Sequence, residues 1–413
     1  MVFENRNSPI SPHPFNSKAI EIQTVRTLAG LEPHAAAWND LACQAPYQLP
    51  DQSHAWVASY LEHQLEAGEE WFCLFAYSHS TLMGVLPVVV SPFKKVGMDC
   101  HKFRTPYNDQ TASIDFVVKP GAEKEIIPFL LNQLHHMQPA CFYFEMRRLP
   151  EGSPALTMIH NGFKRFFPLI MFDGYGSYIK VDGNFADYQA RLGPKFLRNL
   201  RRQERKLFTL PGVKLTFLAG KAMTEEGLSR FMEVEASSWK YQQGSALCQG
   251  KALVSFYKAL TRRLTDLGWL EWHFLEAEGK TIVANLAIRV NRSLVFLKTC
   301  YDEAYSSYSP GNFLFEKVFE RAFNLKEVDE LNLLTDYSWN QNWQVKKRSF
   351  YNLSLFPAKP LPILTGLVPL KIRLGLRQVP AVRQAYNFCW PYFKGGSFKK
   401  DSQEKGTEKD GPE

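Results

Sequence analysis

Three things are scarce in this 413-residue chain, and each scarcity closes off a class of protein. Its seven cysteines, Cys43, Cys73, Cys100, Cys141, Cys248, Cys300 and Cys389, are odd in number and show neither a two-residue gap nor a histidine at metal-ligand spacing. That pattern argues against a disulfide framework and a zinc site; reduced, mostly buried thiols of a cytosolic protein are expected. No run of about 18 apolar residues occurs, which excludes a spanning helix. Met1 to Ser17 holds Pro9, Pro12 and Pro14 but lacks the basic start and apolar centre of a secretory signal, so residues 1–20 read as a disordered lead-in.

Acidic residues are missing from one long segment. The net charge of +8 comes from there: Met1 to Asp336 holds 36 basic and 36 acidic residues, Tyr337 to Lys400 holds 11 basic and no acidic ones, and the remainder holds 2 basic and 5 acidic. Attraction to phosphate therefore belongs mainly to the C-terminal segment, and the body is neutral. What is plentiful is apolar and aromatic: 45% hydrophobic and 14% aromatic residues bury a large core, and the length suits two domains.

Apolar spacing and turn residues predict a helix over Glu32–Ala42, strands over Trp71–Tyr77 and Leu82–Val90, a helix over Glu123–His136 and a strand over Cys141–Met146. A loop rich in glycine and aromatics, Phe166 to Gly183, leads to a basic helix over Asp187–Phe208, where Arg198, Arg201, Arg202 and Arg205 share one face. A strand at Val213–Phe217, helices at Thr224–Trp239 and Lys251–Leu267, and strands at Leu270–Glu276, Ile282–Arg289 and Leu294–Cys300 follow. A helix at Asn312–Asn324 and a strand at Glu330–Thr335 close the series. In the last helix Leu314, Phe315, Val318, Phe319, Ala322 and Phe323 form the buried side, and Glu316, Lys317, Glu320, Arg321 and Asn324 the wet side. The fold class is α/β (α+β), and the first half is a shorter echo of the second.

The stretch Tyr301-Asp-Glu-Ala-Tyr-Ser-Ser-Tyr-Ser-Pro-Gly-Asn312 lies between a buried strand and a helix start. Unpaired amides and the helix dipole suit a pyrophosphate there, with Gly311 allowing close approach, Pro310 setting the entry angle and Ser309 or Asn312 adding a donor. The same four residues also make an ordinary turn and cap.

From about Asp182 to Phe356 the chain resembles the GNAT-type domain of the CelD/BcsL family, acetyltransferase-like proteins of cellulose and exopolysaccharide biosynthesis related to the Fem peptidyltransferases. The resemblance rests on the order of Lys195-Phe-Leu-Arg-Asn-Leu-Arg-Arg-Gln-Glu-Arg-Lys206, Glu235-Ala-Ser-Ser-Trp-Lys240, the Phe256-Tyr to Leu267-Gly helix, and Tyr301-Asp-Glu-Ala-Tyr with Tyr308-Ser-Pro-Gly311. Gln52-Ser-His-Ala-Trp56 extends it loosely into the first half. It implies a GNAT-like domain over 176–356; element order alone extends this to a tandem pair with a first domain over 21–175, and composition marks 357–394 as a basic apolar extension and 395–413 as a disordered tail. The resemblance further implies acetyl-CoA as donor, no metal, and direct transfer to a sugar- or amine-bearing envelope precursor. Where relatives carry a Tyr-Lys-x-x-Trp motif, this chain has Trp339-Asn-Gln-Asn-Trp343, so either Lys346 or Lys347 replaces the lysine or the substrate has changed.

Acyl transfer needs positioning, a base and oxyanion stabilisation. The candidate bases are Glu235, Asp302 and Asp336, with Tyr301 or Tyr308 to return a proton to the thiolate. Tyr308, Ser309, Pro310, Gly311 and Asn312 are the candidate cofactor residues, and Arg198, Arg202, Trp239 and Trp343 the candidate acceptor residues. Each has a plainer reading: Asp302 as a turn cap, Glu235 as a solvated helix residue, Asp336 as an arginine partner, Trp239 as core or pocket wall. Leu361 to Leu370 and Ala385 to Phe393, interspersed with Lys371, Arg373, Arg377 and Arg383, suit an anionic membrane surface at the inner face, or packing across the first domain. Two alternatives to the acetyltransferase stand: a transferase using aminoacyl-tRNA, favoured by the basic helix, and a catalytically silent scaffold.

Overall fold

The computed structural model describes residues 20–378 except 48, 138–140, 160–164 and 221–223. The lead-in before Ile20, the extension beyond 378 and the 395–413 tail lie outside the described residues. The chain divides into two units, 1–357 and 358–413.

The first unit is built on one sheet. Its strands are β1 (Ile20–Val25), β2 (Glu70–Ser78), β3 (Thr81–Lys95), β4 (Met98–Arg104), β5 (Val117–Val118), β6 (Cys141–Pro150), β7 (Phe166–Lys180), β8 (Lys214–Ala219), β9 (Leu270–Ala277), β10 (Lys280–Val290), β11 (Ser293–Tyr301), β12 (Glu330–Asn332) and β13 (Lys346–Pro357). The longer helices are α1 (Ala35–Cys43), α2 (His54–His63), α3 (Glu123–Met137), α4 (Pro194–Leu207), α5 (Thr224–Ala236), α6 (Lys251–Asp266), α7 (Pro310–Leu325) and, in the second unit, α8 (Val368–Gln378).

Strand order is β1-β2-β3-β4-β6-β13-β7-β12-β11-β10-β9-β8, with β5 beside β3. Each half runs a strand, two helices, a three-strand antiparallel meander, a helix and a strand parallel to the end of the meander: β4 with β6, β11 with β12. The halves then exchange strands. β13, from the end of the second half, inserts between β6 and β7 of the first, and β7 reaches across to pair with β12. The 175/176 boundary thus falls inside β7, and β7 and β13 serve both halves.

Three apolar clusters fill the layers. One lies between the halves, where α2 and α6 pack with Trp56 edge-on to Phe256 at 5.4 Å; the others lie under α3 and under α4 with α7. Among the described residues Cys43, Cys73, Cys100, Cys141, Cys248 and Cys300 form no disulfide, and four of these are buried.

The segment Phe166 to Gly183 is corrected from loop to strand through Lys180. Its glycines misled because they answer to packing. Gly174 sits at φ 141° where the β13–β7 register shifts, and a Cβ on Gly176 would lie 2.6 Å from Phe350 Cε2 and 2.9 Å from the Leu334 carbonyl. The Asp187–Phe208 helix is corrected to two, Phe185–Ala190 and Pro194–Leu207, because Pro194 has no amide to continue the first and starts the second. Strands β1, β4 and β13 and helix α2 were not foreseen.

Gly176→Ala should destabilise the protein by about 1–3 kcal/mol, the usual cost of overpacking. Urea unfolding monitored by tryptophan fluorescence would read this, and an unchanged midpoint would mean that the β7–β13 pair is looser than described.

Candidate active site

Parallel pairing of β11 with β12 covers Ser293–Glu330, Leu294–Leu331 and Val295–Asn332, then stops. Beyond it the Leu333 amide follows β7, donating to the Ser177 carbonyl, and Leu334 turns the chain away at φ 60°. From Phe296 to Tyr301 strand β11 therefore has no strand beside it on that flank among the described residues. Phe296, Phe315 and Trp339 step along one face of this notch at 5.1 and 5.3 Å, and exposed Tyr337 stacks on Trp339 at 6.4 Å.

The notch ends at the start of α7. Ser309 adopts a left-handed conformation (φ 47°), Pro310 occupies the first turn, and the Asn312 and Phe313 amides turn back to the Ser309 carbonyl. Beside Gly311 the space is open: an added Cβ would meet nothing closer than Tyr301 Cδ1 at 3.9 Å. Lys206 of the basic helix donates to the Ser307 carbonyl (3.3 Å) and hydroxyl (3.1 Å) and lies 4.6 Å over the Tyr308 ring. The structure thus brings together Tyr301, Tyr308, Ser309, Pro310, Gly311 and Asn312, with a cation beside them. Burial, then Glu303, raise the pKa of Tyr301, so it remains a proton donor.

Across the sheet lies a polar recess. Glu235, fully buried at the end of α5, accepts the Leu247 amide on Oε2 (2.6 Å), while Oε1 has no hydrogen-bond partner and lies 3.9 Å from Lys240 Nζ. Lys240 donates to the Thr299 carbonyl (2.7 Å). Lys298 on β11, half-buried, points its ammonium 5.3 Å over the Tyr257 ring. Loss of hydration, then the like charge of Lys240, push the Lys298 pKa down to about 8. The Tyr257 hydroxyl donates to Gln110 Oε1 (3.1 Å), so the first half also supplies a wall. Asp51 closes the far end: Oδ2 accepts the Ala112 and Ser113 amides (3.1 Å each), Oδ1 has no partner, and burial raises its pKa to about 7. The expectation of a solvated Glu235 is corrected; the wall residues Lys240, Tyr257, Lys298 and Gln110 were missed, though a lysine inside the apolar run of β11 was a visible signal.

The remaining candidates are placed as follows. Asp302 Oδ1 accepts the Ala304 amide (3.0 Å) and Oδ2 accepts Lys280 Nζ (3.0 Å), the geometry of a cap. Asp336 accepts Ser177 Oγ (2.9 Å), Gln341 Nε2 (2.6 Å) and Lys347 Nζ (2.7 Å). Burial alone would raise its pKa, but Lys347 and these hydrogen bonds hold it below the usual carboxylate range, a poor proton acceptor. Trp343 is fully buried between Phe196 (5.0 Å) and Phe319 (5.1 Å), a core wedge away from the notch. Trp239 is exposed just past α5. Arg198 and Arg202 are exposed and make no ion pair among the described residues, whereas Arg201 turns to Glu204 (3.2 Å) and Glu316 (3.1 Å). Glu316 is corrected from the wet side to buried. It floors a cleft of ≈ 620 Å³ between Gln189, Arg201 and Lys317, where its Oε1 already accepts Gln189 Nε2 (2.7 Å). That cleft is an ion-pair junction outside the notch. Among the described residues no His, Cys, Asp and Glu group could hold a metal, and no helix is long and apolar enough to cross a membrane.

Because the pKa of Asp51 is raised on folding, its contribution to stability is present in full below about pH 4 and lost as pH rises through about 7. Asp51→Asn should remove this loss, on the order of a few kcal/mol between pH 4 and 8. Paired thermal melts across that range would show parallel curves if Asp51 stays ionised in the folded state.

The sequence pattern of the acetyltransferase (GNAT) domain family matches residues 194–344, from α4 to the turn before β13. No curated protein matches the chain. Among solved structures, FemX aligns with a TM-score of 0.53 at 10% identity, over 80% of this chain and 96% of its own. The C-terminal domain of a putative lysylphosphatidylglycerol synthetase from Agrobacterium fabrum aligns at 0.48 and 9% identity, over 83% and 97%. A tandem GNAT protein from the clavulanic acid biosynthesis pathway aligns at 0.44 and 13%, over 82% and 99%. The chain thus has a GNAT-type, acetyltransferase-like fold structurally related to that of FemX.

Proposed function

We propose that this protein is an acyltransferase that moves an acetyl group from acetyl-CoA directly to an amine or hydroxyl of a cell-envelope or exopolysaccharide precursor. The observation that carries this reading is the open flank of β11 running into the uncrowded first turn of α7 at Gly311. A pantetheine chain has amides that can pair with an open strand as an added strand does. Its pyrophosphate suits the helix start, where dipole and amides favour anions and Lys206 adds charge. The acyl carbon would then lie beside β11, with the Glu235 recess on the far face. Glu235 Oε1 takes the proton of the attacking amine or hydroxyl, the C–S bond breaks, and Tyr301 or Tyr308 returns a proton to the thiolate.

Calorimetric titration with acetyl-CoA and CoA should show micromolar binding. Gly311→Val should abolish it, while Glu235→Gln should retain it. Equal binding by the valine variant would remove the site from this loop.

The second reading, transfer from aminoacyl-tRNA, is favoured by exposed Arg198 and Arg202. It requires tRNA binding that weakens steeply with salt and no CoA binding. As for location, we infer a cytoplasmic protein that touches the inner membrane face through its second unit. There Val368, Ile372 and Leu376 are exposed beside Lys371 and Arg373 on a helix without carboxylates. Sedimentation with vesicles containing phosphatidylglycerol, but not with purely zwitterionic ones, is the expected result; Ile372→Glu should reduce it.

A further inference from the structure

The two faces of β11 part at the irregularity in its pairing with β10. Ala287 faces Phe296 and Leu286 faces Lys298, so Leu297 is the extra residue. Phe296 joins the cluster beneath α7, while Lys298 turns with Cys300 toward α5 and α6. Lys298 therefore stems from the stretch of strand that β12 leaves open, and its amine lies on the face from which an acceptor would approach.

The surroundings of that amine are unusual for a lysine. It makes no ion pair or hydrogen bond among the described residues and lies over the face of Tyr257, itself fully buried and donating to Gln110. Facing it are Lys240 and Glu235 from the end of α5 and just beyond, Tyr257 from α6 and Cys300 from its own strand. Lys240 is itself engaged by the Thr299 carbonyl, and Glu235 Oε1, 3.9 Å from Lys240 Nζ, accepts no hydrogen bond. Desolvation and a neighbouring like charge are the two conditions that turn a lysine into a nucleophile near neutral pH.

Resting on the acyltransferase reading, we propose that Lys298 is an acyl-acceptor site: with no external acceptor bound, its side-chain amine takes the acyl group from a coenzyme A thioester held along β11. Strands lie roughly 4.8 Å apart, and the lysine stem spans more than this, so a thioester in the place of a neighbouring strand is within its reach. The ammonium first gives one proton to solvent. The free amine then forms an N–C bond to the thioester carbonyl, a second amine proton passes to Glu235 Oε1, and the C–S bond breaks. The thiolate leaves and is protonated, so the products are Nε-acyl-lysine and free CoA, with no redox change. Such a chain would record an unused donor as a modified residue in the acceptor recess.

The test is incubation of the full chain with acetyl-CoA, followed by intact-mass analysis and peptide mapping, with calorimetry of donor binding alongside. The expected result is one added acetyl group, mapped to Lys298 and absent in Lys298→Arg, which still binds acetyl-CoA. Its rate should rise roughly 25-fold between pH 6.5 and 8.5 as the amine loses its proton. Donor binding with no adduct, or with acetyl groups scattered over exposed lysines such as Lys195 and Lys206, overturns this proposal and leaves the acyltransferase reading standing. Absence of donor binding overturns both.

Discussion

β12 is three residues long, and the proposed donor side of the site follows from that shortness. A longer β12 would continue the parallel ladder along β11 and close the flank from Phe296 to Tyr301. It stops because the next strand over, β7, takes the Leu333 amide onto the Ser177 carbonyl and Leu334 then reverses the chain at φ 60°. An open strand edge is ordinarily a liability for aggregation. Here it lies in the middle of a sheet, sheltered by α7 on one face and by α5 and α6 on the other, where only a narrow extended molecule can use it.

That shelter depends in turn on the strand exchange. β7 and β13 pair along nearly their whole lengths, from Lys346–Tyr178 to Pro357–Phe166, and each also contacts the opposite half. The halves are thereby held in one register, with α2 against α6 and Gln110 beside Tyr257. The recess needs this alignment, since its floor comes from α5 and α6 and its far wall from the loop after β4. The first half thus lines part of the recess formed by the second. Its own Asp51, and Trp56 at the end of the stretch Gln52–Trp56 that resembles the family's N-terminal region, are both fully buried.

Much of the second half was legible because its elements are local. The meander β9 to β11 and helix α7 follow from apolar period and turn residues, and the Ser-Pro-Gly-Asn turn marks the helix start whether or not anything binds there. What could not be read was set by distant partners. Gly174 and Gly176 look like loop residues until Phe350, 174 positions after Gly176, is known to cross them. Glu235 and Glu316 look like solvated helix residues because a carboxylate near a polar stretch gives no sign that a loop or a second helix will cover it. Asp302 and Asp336 looked free to act as bases, but Lys280 and Lys347 are brought to them only by folding. The tryptophan motif likewise divides on folding: Trp339 steps onto the notch and Trp343 disappears into the core.

The central claim is that a nucleotide thioester lies along β11 and ends at the start of α7. Amide hydrogen exchange with and without CoA measures this residue by residue. The account predicts slowed exchange confined to Phe296–Tyr301 and to the loop through Asn312, with little change around Glu316 in the neighbouring cleft. Protection centred on that cleft, or on the exposed arginines of α4, with none along β11, would contradict it.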